Sequence, residues 1–248
     1  MSVEALSSLD FFQQLQTHFS QIWQALRGRS ELLDTLLMRA WQSFDLNVAS
    51  QCEGLPALDC HKGCATCCTL RVTATAPEVF MLARFIRAVT PGLMKHGVDL
   101  RAQIAQANDV TCGVGEAGRV AARQRCPFIA QGACVVYQVR PLACRGLASY
   151  DRKACAQAAS CRIDEIPYSE PHMQVRSLVQ NALQSAMRDA GVAWGNYELN
   201  QALLTALDDD TLEARWLAGE DVLNAALVEE VSAQEMAHAF DLLKPAHG

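Results

Sequence analysis

The sequence has 248 residues, half of them hydrophobic, and a formal net charge of -6. A chain of this length and hydrophobicity can bury a substantial core, which excludes an intrinsically disordered protein. The acidic balance and the lack of a long basic run give no reason to expect nucleic-acid binding.

The sequence also gives no reason to expect a membrane partner. Residues 1–5 lack the basic start and apolar run of a secretory signal. No uninterrupted apolar segment reaches the roughly 20 residues that a membrane helix needs. We therefore expect a cytoplasmic protein, and in that reducing compartment clustered cysteines more often bind metal or do redox chemistry than form disulfides.

Two amphipathic helices are predicted at the amino end. Phe12, Leu15 and Phe19 recur at helical spacing within residues 8–27. Ser30 is the expected N-cap of a second helix, which would form a helical hairpin with the first.

The cysteines are confined to the middle of the chain, where all eleven lie between Cys52 and Cys161. Four of them fall within nine residues in the order C-x3-C-x2-C-C: Cys60, Cys64, Cys67 and Cys68. Because Gly63 is free to take a positive φ, this loop can fold back and bring several sulfurs to one point.

A third helix is predicted directly after this loop. Thr75 and Glu78 read as a capping box with Pro77 in the first turn. The alternative for Glu78 is a carboxylate near the metal. Pro91 is expected to end the helix, and a short helix is expected over residues 98–108.

The segment Gly113–Gly118 fits the pattern G-x-G-x-x-G. It follows no convincing strand, and no βαβ unit surrounds it, so we reject a dinucleotide site. A flexible loop is the prediction for this segment.

A second irregular segment carries three further cysteines: Cys126, Cys134 and Cys144. Within it, residues 135–137 are predicted as a short strand. Arg140 and Pro141 are expected to form a turn that aims Cys144 inward.

The carboxyl-terminal part is predicted to be helical. Ser169 is the expected cap of a long helix that has Pro171 in its first turn and ends at Gly191. Asp210 is the expected cap of a later helix. Shorter helices are expected over residues 198–207, 211–217, 221–228 and 233–243.

These patterns predict a mainly α fold: a single irregular helical domain with a cysteine-rich, metal-binding loop core and at most short strands. Residues 1–51 would form a helical hairpin packed on the core. Residues 52–162 would be the cysteine-cluster metal-binding region, and residues 163–248 a helical carboxyl-terminal region of the same globular unit.

Two kinds of metal site suit clustered thiolates. One is tetrahedral zinc with four cysteines, or three and a histidine such as His61. The other is an iron–sulfur cluster, which is larger than a single ion and is held by three or four cysteines. The spacing of Cys60, Cys64 and Cys67 matches the cluster-binding triplet of radical S-adenosylmethionine enzymes, but the helical continuation does not support that enzyme class.

The neighbouring side chains of Cys67 and Cys68 are expected to point in different directions, so they would not both bind one ion. Seven cysteines in two segments then suit two metal centres, or one cluster and a spare thiolate. The triplet favours iron over zinc.

The combined pattern, C-x-x-G-C-x-x-C-C followed by C-P-F, G-x-C-x-x-Y and R-P-x-x-C-R, resembles the YkgJ-type cysteine-cluster family over residues 60–148. This resemblance implies a zinc- or iron-chelating domain, loosely described as iron–sulfur oxidoreductase-like. It implies seven metal ligands: Cys60, Cys64, Cys67, Cys68, Cys126, Cys134 and Cys144. It leaves the roles of Cys52, Cys112, Cys155 and Cys161 open.

The first functional hypothesis is a metal-binding protein that holds iron, as an iron–sulfur cluster, or zinc, for redox or metal-handling work. Arg140 and Arg145 would be cofactor-binding residues that stabilise the thiolates or hold an anionic substrate. The alternative is a zinc-stapled helical module that binds a protein partner without catalysis. A third hypothesis is a redox sensor with a reactive, uncoordinated thiol at Cys68 or elsewhere. Whether the protein is an enzyme stays open.

Overall fold

The computed structural model describes residues 7–61, 63–160, 162–163 and 165–244. This part of the chain contains eleven α-helices: α1 (Ser8–Leu26), α2 (Leu32–Gln51), α3 (Ala76–Met94), α4 (Leu100–Thr111), α5 (Glu116–Ala122), α6 (Leu142–Gly146), α7 (Arg152–Ala158), α8 (Glu170–Asp189), α9 (Leu199–Asp208), α10 (Leu212–Leu217) and α11 (Ala233–Leu243). Two antiparallel sheets pair two-residue strands: β1 (Thr73–Ala74) with β4 (Tyr197–Glu198), and β2 (Ile129–Ala130) with β3 (Ala133–Cys134). The prediction of a mainly α fold is confirmed.

Helix α8 is the centre of the packing, since α1, α2 and α6 all lie against it. Its residues Val179 and Leu183 are fully buried. Buried side chains from Phe11 to Phe240 form one connected hydrophobic cluster. None of the helices in the described ranges is long and apolar enough to cross a membrane.

Trp216 of α10 packs against both α1 and α3 in this core. Its ring lies edge-on to Trp23 of α1, with centroids 5.8 Å apart, and tilted against Phe80 of α3, at 5.7 Å. Its indole Nε1 donates to the Ala193 carbonyl at 2.8 Å, so the buried polar atom is paired. These ring contacts tie α1, α3 and α10 together in the core.

The predicted start of α2 is wrong. The helix begins at Leu32, and the N-cap residue Glu31 makes no capping hydrogen bond with its side chain. The Ser30 hydroxyl donates instead to the Glu31 carboxylate at 3.1 Å. Leu32 and Leu33 are both buried, so packing, and not a cap, decides where this helix starts.

Pro91 does not end α3, which continues to Met94. A proline removes only one backbone hydrogen bond, and here it falls in the last turn, where several carbonyls have no helical partner in any case. Leu93 packs against the core and holds that turn in place.

The glycine-rich segment is not the flexible loop that we predicted, because α5 forms over its second half. Arg119 is the cause. Its guanidinium is buried and pairs with the Glu198 carboxylate at 2.9 Å, and it also donates to the Thr111 carbonyl at 2.9 Å. An unpaired buried charge would be costly, so this pair orders the segment.

Several short elements also differ from the prediction. Residues 135–137 form no strand: β3 ends at Cys134, and a 3-10 turn covers Tyr137–Val139. The helix expected over 221–228 is a single 3-10 turn, Asn224–Ala226. The N-cap of α10 is Thr211, whose N–H and hydroxyl donate to the Asp209 carboxylate, so Asp210 is not the cap.

The cysteine-rich region is attached to the helices at a few points. Thr73 pairs with Glu198 in the β1–β4 sheet, and the Leu199 N–H donates to the Val72 carbonyl at 3.0 Å. Phe128 and Leu142 are buried in the common core. These contacts fix the two cysteine segments against α3 and α8.

Candidate metal centre

The first cysteine segment is a series of tight turns. The N–H of Cys64 donates to the His61 carbonyl at 3.0 Å, and the N–H of Cys68 donates to the Ala65 carbonyl at 3.1 Å. Gly63 has φ +90°, the positive value predicted from the sequence. A Cβ at Gly63 would lie 3.6 Å from the Gly132 carbonyl oxygen, so this loop lies directly on the second segment.

Gly63→Ala is expected to lower the free energy of unfolding by about 1–2 kcal/mol, because an L side chain is strained at this φ. Gly92→Ala is the matched control. It lies in α3 without a positive φ and with open space at the Cβ, so it should stabilise by about 0.5–1 kcal/mol. Urea unfolding measures both, and a neutral Gly63→Ala variant would contradict the strain argument.

The second segment folds as a hairpin beside the first. Gln131 and Gly132 take positive φ values of 49° and 81° in the turn between β2 and β3. The N–H of Cys126 donates to the Cys68 carbonyl at 2.7 Å. This bond joins two stretches that are far apart in sequence and brings their cysteines together.

Four thiols form an inner group, called the inner thiols below: Cys67, Cys126, Cys134 and Cys144. Burial, with repulsion from Cys134 and Cys67, raises the pKa of Cys126 to about 11. Burial also raises the pKa of Cys144, and the charges of the other three inner thiols raise it further. Thiols that oppose one another's ionisation in this way lie close together.

Three more thiols form a second group, called the outer thiols below: Cys60, Cys64 and Cys155. Partial burial raises the pKa of Cys60, and the charges of Cys64, Cys67 and Cys155 add to it. The Cys60 sulfur also accepts from the Ser149 N–H at 3.4 Å. Burial raises the pKa of Tyr168, with Cys155 and Cys67 contributing, so the inner and outer groups adjoin at this tyrosine.

Cys67 and Cys68 do not diverge as the sequence led us to expect. A side-chain hydrogen bond with Cys68 is the main cause that raises the pKa of Cys67, ahead of burial. The turns at Ala65 and Cys67 tighten the backbone here, since the Leu70 N–H donates to the Cys67 carbonyl at 3.1 Å. The two side chains are therefore in hydrogen-bond contact with each other.

Arg140 faces the inner thiols. Its positive charge opposes the rise in pKa of Cys67, Cys134 and Cys144. The guanidinium lies 4.1 Å from the centroid of the Tyr137 ring, and its Nε is buried with no hydrogen-bond partner among the described residues. This arrangement suits the stabilisation of thiolates.

Arg145 braces the backbone near Arg140. Its guanidinium stacks 4.8 Å from the centroid of Trp41 on α2. It also donates to the Arg140 carbonyl at 3.1 Å and to the Gln138 carbonyl at 2.8 Å. It fixes the turn that carries Arg140, and its assignment as a cofactor-binding residue stays a prediction.

Glu78 positions the start of α6. As the capping box predicts, its carboxylate accepts from the Thr75 N–H at 2.8 Å. Its other oxygen accepts from the Leu142 N–H at 2.7 Å, two residues before Cys144. Burial raises the pKa of Glu78. The residue thus links α3 to the second cysteine segment, a connection that local sequence did not reveal.

The remaining candidates lie in different places. Cys112 is exposed at the end of α4, with its sulfur 3.7 Å from the Gln201 amide oxygen. His61 is exposed, and its Nδ1 contacts the Asp59 carbonyl oxygen at 3.2 Å. Cys52 lies after α2, beside His172. Cys161 lies outside the described residues.

The cysteine thiols of the two segments fit a metal by their chemistry, since thiolates are ordinary ligands of zinc and iron. All ten described cysteines are free. Within the described ranges, no three His, Cys, Asp or Glu side chains are grouped so that they could hold one ion. A bound cation would replace thiol protons and turn the repulsion among sulfurs into shared attraction.

Comparison with known families decides the nature of this region. Residues 59–162 match the CxxCxxCC family, described as a "putative zinc- or iron-chelating domain". The match covers 104 of the 248 residues of the chain. The predicted resemblance to a cysteine-cluster family is confirmed, and the CxxCxxCC domain spans both cysteine segments together with Cys155. No curated protein and no solved structure matches the chain.

Proposed function

We propose that the chain is a cytoplasmic metalloprotein whose CxxCxxCC domain binds iron or zinc through cysteine thiolates. The observation that carries this proposal is the gathering of buried, mutually repelling thiols from two separate segments. Such an arrangement is unfavourable for the thiolates alone and becomes favourable when a cation binds them.

We propose that the metal is iron, in an iron–sulfur cluster. A mononuclear ion needs its ligands within about 2.3 Å of one point, whereas a cluster is a larger object reached by sulfurs that stand further apart. The inner and outer thiols number seven and adjoin one another, which is more than one mononuclear ion uses. This number supports a cluster held by the inner thiols, with the outer thiols available for a second centre.

A bound iron–sulfur cluster would supply one-electron transfer. The chain's own contribution is to bury the inner thiols in part and to place Arg140 beside them. The guanidinium offsets the negative charge of several thiolates. This pairing of half-buried sulfur and positive charge supports a redox or metal-handling role.

Metal speciation tests the proposal. The full chain is purified without oxygen, and iron, zinc, acid-labile sulfide and the visible spectrum are measured on the same sample. A brown protein with iron and sulfide in matching amounts is the expected result. Folded protein with little of either metal would overturn metal binding, and zinc without sulfide would overturn the cluster.

The second candidate is a zinc-stapled module that binds a protein partner. Large hydrophobic side chains stand exposed on α2, with Met38 at 66% and Leu46 at 61% exposure. A colourless protein with stoichiometric zinc would favour this function. Chelator treatment should then unfold the cysteine region, because structural zinc contributes directly to folding.

A further inference from the structure

A second group of reactive side chains lies outside the metal centre, where the end of α2 meets the start of α8. The Cys52 sulfur is 3.9 Å from Nδ1 of His172. The same nitrogen is 2.7 Å from the Ser169 hydroxyl, and Tyr150 donates to that hydroxyl at 3.3 Å. A thiol, an imidazole and two hydroxyls thus form one connected chain.

The imidazole is held in place from several sides. Ser169 is the N-cap residue of α8, yet its side chain makes no capping bond to the backbone, contrary to the prediction, and bonds His172 instead. Ser169 is fully buried. The Phe44 ring lies edge-on to the imidazole, with centroids 6.0 Å apart. These contacts hold the ring with Nδ1 close to both the Ser169 hydroxyl and the Cys52 sulfur.

The electrostatics leave His172 able to accept a proton. Burial lowers the pKa of His172, and the nearby Arg140 lowers it further. The imidazole is therefore neutral at neutral pH. A nucleophile and a base within hydrogen-bond reach, with the base held by a third group, is the usual arrangement of an activated thiol.

We propose that Cys52 is a nucleophilic thiol, with His172 as its base, which reacts with hydroperoxides to form a sulfenic acid. This site is separate from the cysteines assigned to the metal. Cys52 is partly exposed, as reaction with an oxidant from solution requires.

The step balances with hydrogen peroxide as the oxidant. Nδ1 takes the proton from the Cys52 sulfur, and the thiolate attacks one peroxide oxygen. The S–O bond forms as the O–O bond breaks, and the leaving hydroxide takes the proton back from Nδ1 and departs as water. Sulfur is oxidised by two electrons, and the peroxide is reduced.

Cys112 provides an internal reference in the same molecule. It is more exposed than Cys52, and its sulfur lies 3.7 Å from the Gln201 amide oxygen. The metal-loaded full chain is treated with hydrogen peroxide, sulfenic acid is trapped with dimedone, and the two peptides are followed by mass spectrometry. Cys52 is expected to be labelled at least about tenfold faster than Cys112.

His172→Gln tests the base, because the amide cannot take up a proton. It should slow the labelling of Cys52 by about tenfold and leave Cys112 unchanged. The proposal is overturned if the two cysteines are labelled at equal rates in the unmodified chain. It is also overturned if a folded His172→Gln variant labels Cys52 at an unchanged rate. If the variant does not fold, the ratio of the Cys52 and Cys112 labelling rates in the unmodified chain still tests the proposal. Metal content is measured in parallel, so failure of the metal proposal is seen separately.

Discussion

Cys144→Ala is expected to lower metal affinity by at least about 100-fold, more than loss of an outer-shell partner would. Cys144 lies in α6 and feels the charges of the other three inner thiols, so its removal breaks the group at its centre. Protein purified without oxygen should lose most of its bound metal and any visible absorption that the metal gives.

Cys112→Ala is the matched control for this experiment, since it removes an exposed thiol whose sulfur contacts the Gln201 amide. Metal content and competition with a chelator are measured for both variants. If Cys144→Ala retains the metal, or if the two variants lose it equally, the assignment of the inner thiols is wrong.

Glu78→Ala should cost about 3–5 kcal/mol of unfolding free energy, the largest loss that we expect for a side chain outside the metal set. The buried carboxylate accepts from the N–H and hydroxyl of Thr75 and from the N–H of Leu142. Truncation leaves these buried donors unpaired. It also releases the start of α6, so metal affinity should fall together with stability.

Glu235→Ala is the control, because it occupies the same capping-box position at the start of α11 but on the surface. Its loss should cost about 1 kcal/mol. Urea unfolding at constant metal loading measures both variants. Equal losses would show that Glu78 acts only as a helix cap and does not connect α3 to the cysteine region.

The long helices could be predicted from the sequence because their hydrophobic spacing is local. Phe12, Leu15 and Phe19 give α1, and the run from Ser169 to Gly191 gives α8 within one or two residues. The family and the two cysteine segments could also be predicted, since short cysteine spacings are local patterns.

The rest depends on contacts between distant residues. The α5 helix forms because Arg119 meets Glu198 across the fold, and no local pattern indicates that pair. Cys155 joins Cys60 only through tertiary packing. The same is true of Cys52 and His172, which are separated by much of the chain and meet where α2 and α8 pack together.

The β1–β4 pairing has a consequence for how the protein is made. Thr73 pairs with Glu198, so strands separated by about half the chain must meet before this sheet exists. Contacts of such long range form late and slow the folding of a domain. During synthesis, both cysteine segments leave the ribosome before their partner strand is available. Both cysteine segments are therefore complete in the nascent chain before the sheet that attaches them to the helices can form.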